Sequence, residues 1–281
     1  MKVGLVLEGG AMRGLYTAGV LDVFLDQQIN IDGIIGVSAG ALFGVNYVSK
    51  QKGRTLRYNK KYVGDKRYMG LHSLITTGNI VNKDFAYYQV PLKLDPFDQE
   101  TFAKSNIEFL ATVTNLKTGQ PEYIKMINAY KQMEVFRATS AMPFVSKIVT
   151  INDQEYLDGG IADSIPIEKA KQLGYDKIIV ILTRPIEYRK KKSNQLIPKF
   201  FYHRYPNFVQ TINNRYLNYN KTVEKIIELE QEHKIFVIRP SKTVPIKRLE
   251  KDPDRLQEIY DLGVIDANKI INDLKQYLTD S

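Results

Sequence analysis

Ser38 stands at the centre of Gly36-Val37-Ser38-Ala39-Gly40, and its type and spacing are those of a nucleophile. G-x-S-x-G acquires mechanical meaning when a strand precedes it and a helix follows, because the serine is then forced into a sharp turn that presents its hydroxyl. Ile34-Ile35 closes a short apolar run ahead of it, and the small apolar residues of Ala39–Val48 behind it can form a helix. Gly36 and Gly40 relieve crowding at such an elbow. The pentapeptide is short and common, so a chance match stands beside the nucleophile until other residues are found to serve it.

A second group lies nearer the start. Val3–Leu7 reads as a buried strand, Gly9-Gly10-Ala11-Met12-Arg13-Gly14 as a glycine-rich loop, and residues 15–27 as a helix with Leu15, Val20, Leu21, Phe24 and Leu25 at helical spacing. Such a loop exposes backbone N–H groups near the positive end of a helix dipole, a place for negative charge. A phosphate and the oxyanion of a tetrahedral intermediate are both candidates, as is a tight turn without a ligand. A dinucleotide site needs G-x-G-x-x-G where this chain has G-G-x-x-x-G. A P-loop needs Lys-Ser/Thr after its last glycine, where Leu15-Tyr16 follows. Neither nucleotide reading survives.

A base is the third requirement. Residues 146–150 and 154–157 read as a hairpin around Asn152-Asp153, delivering Asp158-Gly159-Gly160 at a strand end. Followed by two glycines, that carboxylate is free of crowding and suits a base, or equally a capping turn. A Ser-His-Asp triad in α/β-hydrolase order needs a histidine after the acid. His203 lies in a basic-aromatic cluster and His233 beside a glutamate-rich run, and neither has a glycine-flanked, strand-end setting; His72, in a polar stretch ahead of the acid, reads as a surface or packing residue. A dyad in which Asp158 takes the Ser38 proton directly fits better. A free aspartate, with a pKa of ~3.9, is a weak base for an alcohol. A short Ser–Asp hydrogen bond and the oxyanion loop must then supply most of the help. Ser140 is a second serine without a glycine elbow, and it reads as a helix end packed under the site.

Two successive strand–loop–helix units imply a parallel sheet with both loops at its carboxyl edge, where α/β folds hold ligands. Residues 107–114 and 122–127 read as strands, 130–139 and 163–173 as helices, and 177–182 as a further buried strand. Residues 53–90 read as a polar, tyrosine-rich periphery of one helix and irregular segments. Beyond residue 183 a long helix (206–232), a short strand (234–238) and a last helical stretch (252–277) follow. They either complete the domain or, with Lys190, Lys191 and Lys192, build a lid or lipid-docking surface.

The chain has 281 residues, a formal charge of +9 and no cysteine, which excludes disulfides, thiolate catalysis and cysteine-ligated metal. No stretch approaches the ~20 apolar residues of a membrane span, and residues 1–7 are too short an apolar run for a signal peptide. The expectation is a cytoplasmic protein able to touch a membrane surface. Basic residues gather in two clusters with aromatics between them. The first holds Lys50, Lys52, Arg54, Arg57, Lys60, Lys61, Lys66 and Arg67 with Tyr58, Tyr62 and Tyr68. The second holds Arg184, Arg189, Lys190, Lys191, Lys192, Lys199 and Arg204 with Phe200, Phe201, Tyr202 and Tyr205. Such mixtures suit an anionic lipid surface or nucleic acid, or are solvated surface with no partner. No nucleic-acid fold signature accompanies them, so no nucleic-acid partner is expected.

At this point four blocks, in order, resemble the bacterial branch of the patatin-like phospholipases. Gly9-Gly10-Ala11-Met12-Arg13-Gly14 resembles the family's oxyanion block and Gly36-Val37-Ser38-Ala39-Gly40 its nucleophile elbow. Arg137-Ala138-Thr139-Ser140-Ala141-Met142-Pro143 resembles its third block, and Asp158-Gly159-Gly160 its catalytic-aspartate block. Ala11 departs from the family's usual third glycine. The resemblance implies a three-layer α/β/α fold with a mostly parallel sheet, and a catalytic domain over residues 1–183, with elements to about 240 completing it. A mainly helical extension is then expected over 184–281. It further implies a Ser38–Asp158 dyad that hydrolyses lipid acyl esters through an acyl-enzyme, as a phospholipase A, lysophospholipase or carboxylesterase. Oxyanion donors are expected in Gly9, Gly10, Ala11, Met12, Arg13 and Gly14, foremost Gly10 and Ala11, with no metal or organic cofactor required. The alternative is a catalytically silent member acting as a regulatory or membrane-binding module.

Overall fold

Residues 1–280 are described by a computed structural model. Its strands are β1 (Val3–Leu7), β2 (Gly33–Val37), β3 (Glu108–Asn115), β4 (Pro121–Lys125), β5 (Val149–Ile151), β6 (Gln154–Asp158), β7 (Lys177–Ile181) and β8 (Phe236–Ile238). They form one sheet in the order β5-β6-β3-β2-β1-β7-β8, with β4 also paired to β3. The run β3-β2-β1-β7-β8 is parallel, and β4, β5 and β6 join antiparallel. All five residues of β1 and of β2 are buried. Both faces of those strands are covered, so their sequences run apolar without alternation. The β5–β6 hairpin turns at Asn152 (φ 48°) and Asp153 (φ 60°), residue types that tolerate the left-handed region.

The helices are α1 (Leu15–Asp26), α2 (Ala39–Val48), α3 (Arg54–Tyr62), α4 (Leu71–Thr77), α5 (Gln99–Lys104), α6 (Met133–Thr139), α7 (Ile167–Gln172), α8 (Leu196–Phe201), α9 (Pro206–Gln231) and α10 (Pro253–Thr279). A π-helix spans Asp84–Leu94. Leu5, Leu7 and Ile34 point to one face of the sheet and pack with side chains of α1, α2 and α10. Val6 and Ile35 point to the other and meet α7 and α9. Three layers follow, as the sequence predicts.

Residues beyond 183 take part in this sheet and in both cores: β8 extends the parallel run through Val237 opposite Val180, and α10 lies along α1. The α1–α10 crossing is unusually close. A Cβ on Gly19 would lie 2.2 Å from the Tyr260 carbonyl oxygen, and one on Gly263 would lie 2.1 Å from that of Tyr16.

The peripheral reading of residues 53–90 needs correction. Tyr58, Tyr62, Tyr68 and Tyr87 are buried, and Tyr62, Tyr68 and Phe85 pack edge to face. Arg54 is also buried, 3.1 Å from Asp95, whose carboxylate receives Arg57 at 2.8 and 2.9 Å. A tyrosine carries a large apolar ring with one polar atom, so tyrosine-rich segments can wall a core as well as a surface.

Candidate active site

The register of three strands brings Ser38 and Asp158 together. Val37 pairs with Thr112 of β3, and the next β3 residue, Val113, pairs with Asp158 of β6. The last residue of β6 therefore meets the residue that follows β2. Ser38 Oγ donates to Asp158 Oδ2 at 2.7 Å, and Asp158 Oδ1 accepts from the Gly160 N–H at 2.8 Å. Both side chains are buried. Burial pushes the Asp158 carboxyl above the usual carboxylate range, against the pull of the Arg215 guanidinium and the Ser38 and Gly160 hydrogen bonds. A raised value makes Asp158 a stronger base than a free aspartate.

Ser38 adopts φ 52° and ψ −121°, a conformation that costs a residue bearing a Cβ about 1–3 kcal/mol. The elbow glycines answer a different need, close approach. A Cβ on Gly36 would lie 2.6 Å from the Ala41 Cα, and one on Gly40 would lie 2.5 Å from the Leu7 carbonyl oxygen. The strain is held by a residue of the third sequence block to which the sequence assigns no role. Buried Thr139, at the end of α6, accepts the Ser38 N–H at 3.0 Å and donates to the Thr112 carbonyl at 2.5 Å. Its neighbour Ser140 donates to the Phe136 carbonyl at 2.7 Å and pairs with the Tyr87 hydroxyl at 2.8 Å, without a bond to Asp158.

The glycine-rich loop closes as a 3-10 turn over Ala11–Gly14. The Met12 N–H donates to the Arg248 carbonyl at 3.4 Å and the Arg13 N–H to the Gly10 carbonyl at 3.2 Å. These two donors are spent within the fold, that of Arg13 inside the turn itself and that of Met12 on the distant Arg248 segment. Gly14 serves packing, since a Cβ there would lie 2.8 Å from that of Ala39. The N–H groups of Gly9, Gly10 and Ala11 have no acceptor among the described residues, which narrows the predicted six-residue donor set. Ala11 sits at φ 49°, a left-handed conformation costing a non-glycine residue about 1–2 kcal/mol.

Ser38 lies on a wall shared by two cavities, together with Ala11, Met142 and Arg248. The first, with an empty volume of about 1040 Å³ including its mouth, is apolar, with Leu42, Phe43, Tyr68, Val90, Met133 and Phe136 among its lining residues. The second, of about 1150 Å³, is polar and contains Glu8, Arg13, Asp158, Arg184, Lys190 and Arg215. None of the three histidines lines either cavity, and all three are exposed. Gly159 is fixed by packing, since a Cβ there would lie 2.1 Å from the Thr112 carbonyl oxygen. Gly160 carries the N–H that holds Asp158.

The family model described as patatin-like phospholipase matches residues 5–171, well over half of the chain. The chain belongs to the patatin-like phospholipase family. A second model, a domain of unknown function (DUF6363), covers residues 205–279 of this patatin-like chain. Over 189 residues it is 31% identical to the uncharacterized protein YjjU of Escherichia coli, covering 66% of this chain and 52% of YjjU. It is 28% identical over 189 residues to the lysophospholipase nte1 of Aspergillus fumigatus, covering 64% of this chain and 12% of that protein. It is 26% identical over 187 residues to the probable lipid hydrolase 463L of Invertebrate iridescent virus 6, covering 59% and 62% respectively. The chain thus spans about half of YjjU and about an eighth of the fungal enzyme. Among the described residues, no helix is long and apolar enough to cross a membrane.

Proposed function

We propose that this patatin-like chain hydrolyses the carboxylic ester of a lipid through an acyl-enzyme on Ser38. The observation that carries the reading is the 2.7 Å hydrogen bond from Ser38 Oγ to the buried Asp158 carboxylate, set where an apolar and a polar cavity meet. The lysophospholipase and lipid-hydrolase names of two relatives agree with it. In the first half-reaction Ser38 Oγ bonds to the ester carbonyl carbon while its proton passes to Asp158. The developing oxyanion is held by the N–H groups of Gly10 and Ala11, with Gly9 beside them. Collapse breaks the ester C–O bond, and the leaving alkoxide takes the proton from Asp158. Water then adds to the acyl-enzyme, gives one proton to Asp158, and releases a carboxylic acid as Ser38 recovers its proton. The acyl chain occupies the apolar cavity. A fluorophosphonate probe is expected to modify the folded protein at Ser38 and to leave Ser38→Ala unmodified. A folded protein that is neither labelled nor active on any acylglycerol or nitrophenyl ester would sink the enzyme reading in favour of a silent module.

Peripheral contact with an anionic membrane belongs to the same proposal, at the second basic cluster. Leu196, Phe200 and Phe201 of α8 are exposed, with Lys192, Lys199 and Arg204 exposed nearby. Phe201 packs on Phe144, which lines the polar cavity. Apolar side chains ringed by lysine and arginine match the boundary of an anionic bilayer. The first cluster supports this less, because Arg54 and its tyrosines face inward, while Lys52 pairs with Asp26 and Arg67 with Asp65. Phe200→Ser/Phe201→Ser is expected to weaken binding to vesicles of phosphatidylglycerol and phosphatidylcholine, and added salt to weaken the wild-type association. Binding indifferent to both would remove the docking role.

A further inference from the structure

The polar cavity holds more positive charge than the reaction uses. Five cationic side chains line it, Arg13, Arg184, Lys190, Arg215 and Arg248, against two carboxylates, Glu8 and Asp158. Both carboxylates are already engaged. Glu8 accepts from the Thr183 N–H at 2.6 Å and from the Tyr219 hydroxyl at 2.8 Å, and Asp158 accepts from Ser38 and Gly160. Among the described residues none of the five cations forms an ion pair. Arg13 Nε is buried without a hydrogen-bond partner. Lys190 Nζ lies 3.2 Å from the centre of the Tyr219 ring, and Arg184 lies over the Tyr188 ring at 4.2 Å. Burial and the neighbouring Arg215 push the Lys190 ammonium down to about 6, so at neutral pH the four arginines carry the charge and Lys190 joins them when an anion is close enough to favour its protonated form. Arg13 falls to about 10 through burial and the Arg184 charge. Cations drawn out of water without an ion-pair partner are costly, and aromatic faces, the Gly160 carbonyl and the more distant charges of Glu8 and Asp158 compensate these only in part.

We propose that this cavity is the receptor for the phosphate of an anionic acylglycerol phosphate. Resting on the ester-hydrolase reading, it names the substrate class: one acyl chain in the apolar cavity, the ester at Ser38, the phosphate among the arginines. Arg248 and Ser38 line both cavities, so one molecule with an acyl chain and a charged head fits across the shared wall. A guanidinium suits phosphate because its planar fork offers paired N–H donors. Four of the five cations lie beyond residue 171, where the patatin-like match ends. Arg215 and Arg248 fall within residues 205–279, the domain of unknown function. That domain thereby acquires a task, completing the head-group end of the site. Arg215 also donates from Nε to the Gly160 carbonyl at 2.6 Å, which ties the receptor to the loop that holds Asp158.

The test uses short-chain substrates below their aggregation threshold, so that membrane docking does not enter. Wild-type kcat/KM for an octanoylglycerol 3-phosphate is expected to exceed that for monooctanoylglycerol by about tenfold to a hundredfold, as expected for one or two charged hydrogen bonds. Equal values overturn the proposal without any variant. Arg184→Gln/Arg248→Gln is expected to bring the ratio close to one. If the pair does not fold, Arg248→Gln alone, at an exposed position, is expected to lower it severalfold; a ratio unchanged in the folded variant overturns the assignment. Calorimetry on Ser38→Ala reads the receptor without turnover. Glycerol 3-phosphate is expected to bind, and the acylated compound more tightly, with glycerol silent. Inorganic phosphate binding as tightly as the acylated compound assigns the cavity to a free anion and overturns the head-group role. A wild-type protein that hydrolyses no ester, while Ser38→Ala still binds the acylated phosphate over glycerol, defeats the enzyme reading and keeps the receptor.

Discussion

Asp158→Asn is expected to lower kcat/KM for a soluble nitrophenyl ester by about a thousandfold or more while the protein stays folded. General-base assistance is worth about 10²- to 10⁴-fold, and here no histidine lines the cavities to take over. Asparagine keeps the shape and can still accept from the Gly160 N–H, so circular dichroism should not change. Retained turnover in the folded variant would end the dyad. The same carboxylate is expected to set the acid side of the pH profile. Asp158 accepts a proton only when ionised, and burial raises its pKa. Activity should therefore fall, as pH drops, at a value above the ~3.9 of a free aspartate. Arg215 opposes that rise more than any other group, with Ser38, the Gly160 N–H and Arg248 acting in the same direction. Arg215→Gln should move the acid limb to higher pH, and Arg215→Lys should largely restore it. A neutral ester is the right substrate, because it makes no demand on the cationic cavity. A limb that does not move in Arg215→Gln would mean that Arg215 acts only through the Gly160 carbonyl.

What the sequence makes legible divides along physical lines. β1, β2 and β7 are buried on both faces, so their unbroken apolar runs announce a parallel sheet, and the glycines that follow β1 and β2 announce turns at its edge. The sequence marks Ser38 and Asp158 as candidates in a similar way, each being the residue at which a strand run stops and a glycine environment begins, and the fold brings the two within hydrogen-bond distance. What pattern cannot carry is which side chain a distant segment brings. Thr139 looks like any threonine at a helix end, yet it clamps the elbow from 101 residues away. Lys190 reads as one member of a surface lysine run, but only Lys191 and Lys192 are exposed; Lys190 lies on the Tyr219 ring, inside the site. Arg215 sits in a long amphipathic helix where an arginine is unremarkable, and nothing local tells that the Gly160 carbonyl waits for it. The donors of the glycine-rich loop show the same limit. Composition marks the whole run Gly9 to Gly14, and only the folded turn reveals that Met12 and Arg13 have spent their N–H groups.

Gly263→Ala is expected to destabilise the protein, and the sign is the informative part. In an ordinary helix interior, alanine is favoured over glycine by about 1 kcal/mol, so a glycine without a packing role should gain stability from the change. Here the new Cβ would lie 2.1 Å from the Tyr16 carbonyl oxygen, and at Gly19 it would lie 2.2 Å from that of Tyr260. Backbone cannot swing aside as a flexible side chain does, so α10 must lift from α1. Overpacking of this kind costs about 1–3 kcal/mol and sometimes more. With roughly 2–4 °C lost per kcal/mol in a protein of this size, the thermal midpoint should fall by roughly 5 °C. Gly19→Ala should do the same, and the double variant should cost less than the two together, since either one already separates the helices. A midpoint that rises in either single variant would show the crossing to be looser than described. The consequence reaches the chemistry through a short path. Arg248 lies five residues before α10, and its carbonyl receives the Met12 N–H of the glycine-rich turn. Lifting the helix should loosen that turn, so ester turnover should decline at temperatures where the protein is still folded. If activity instead tracks the folded fraction alone, α10 stabilises the sheet without reaching the loop.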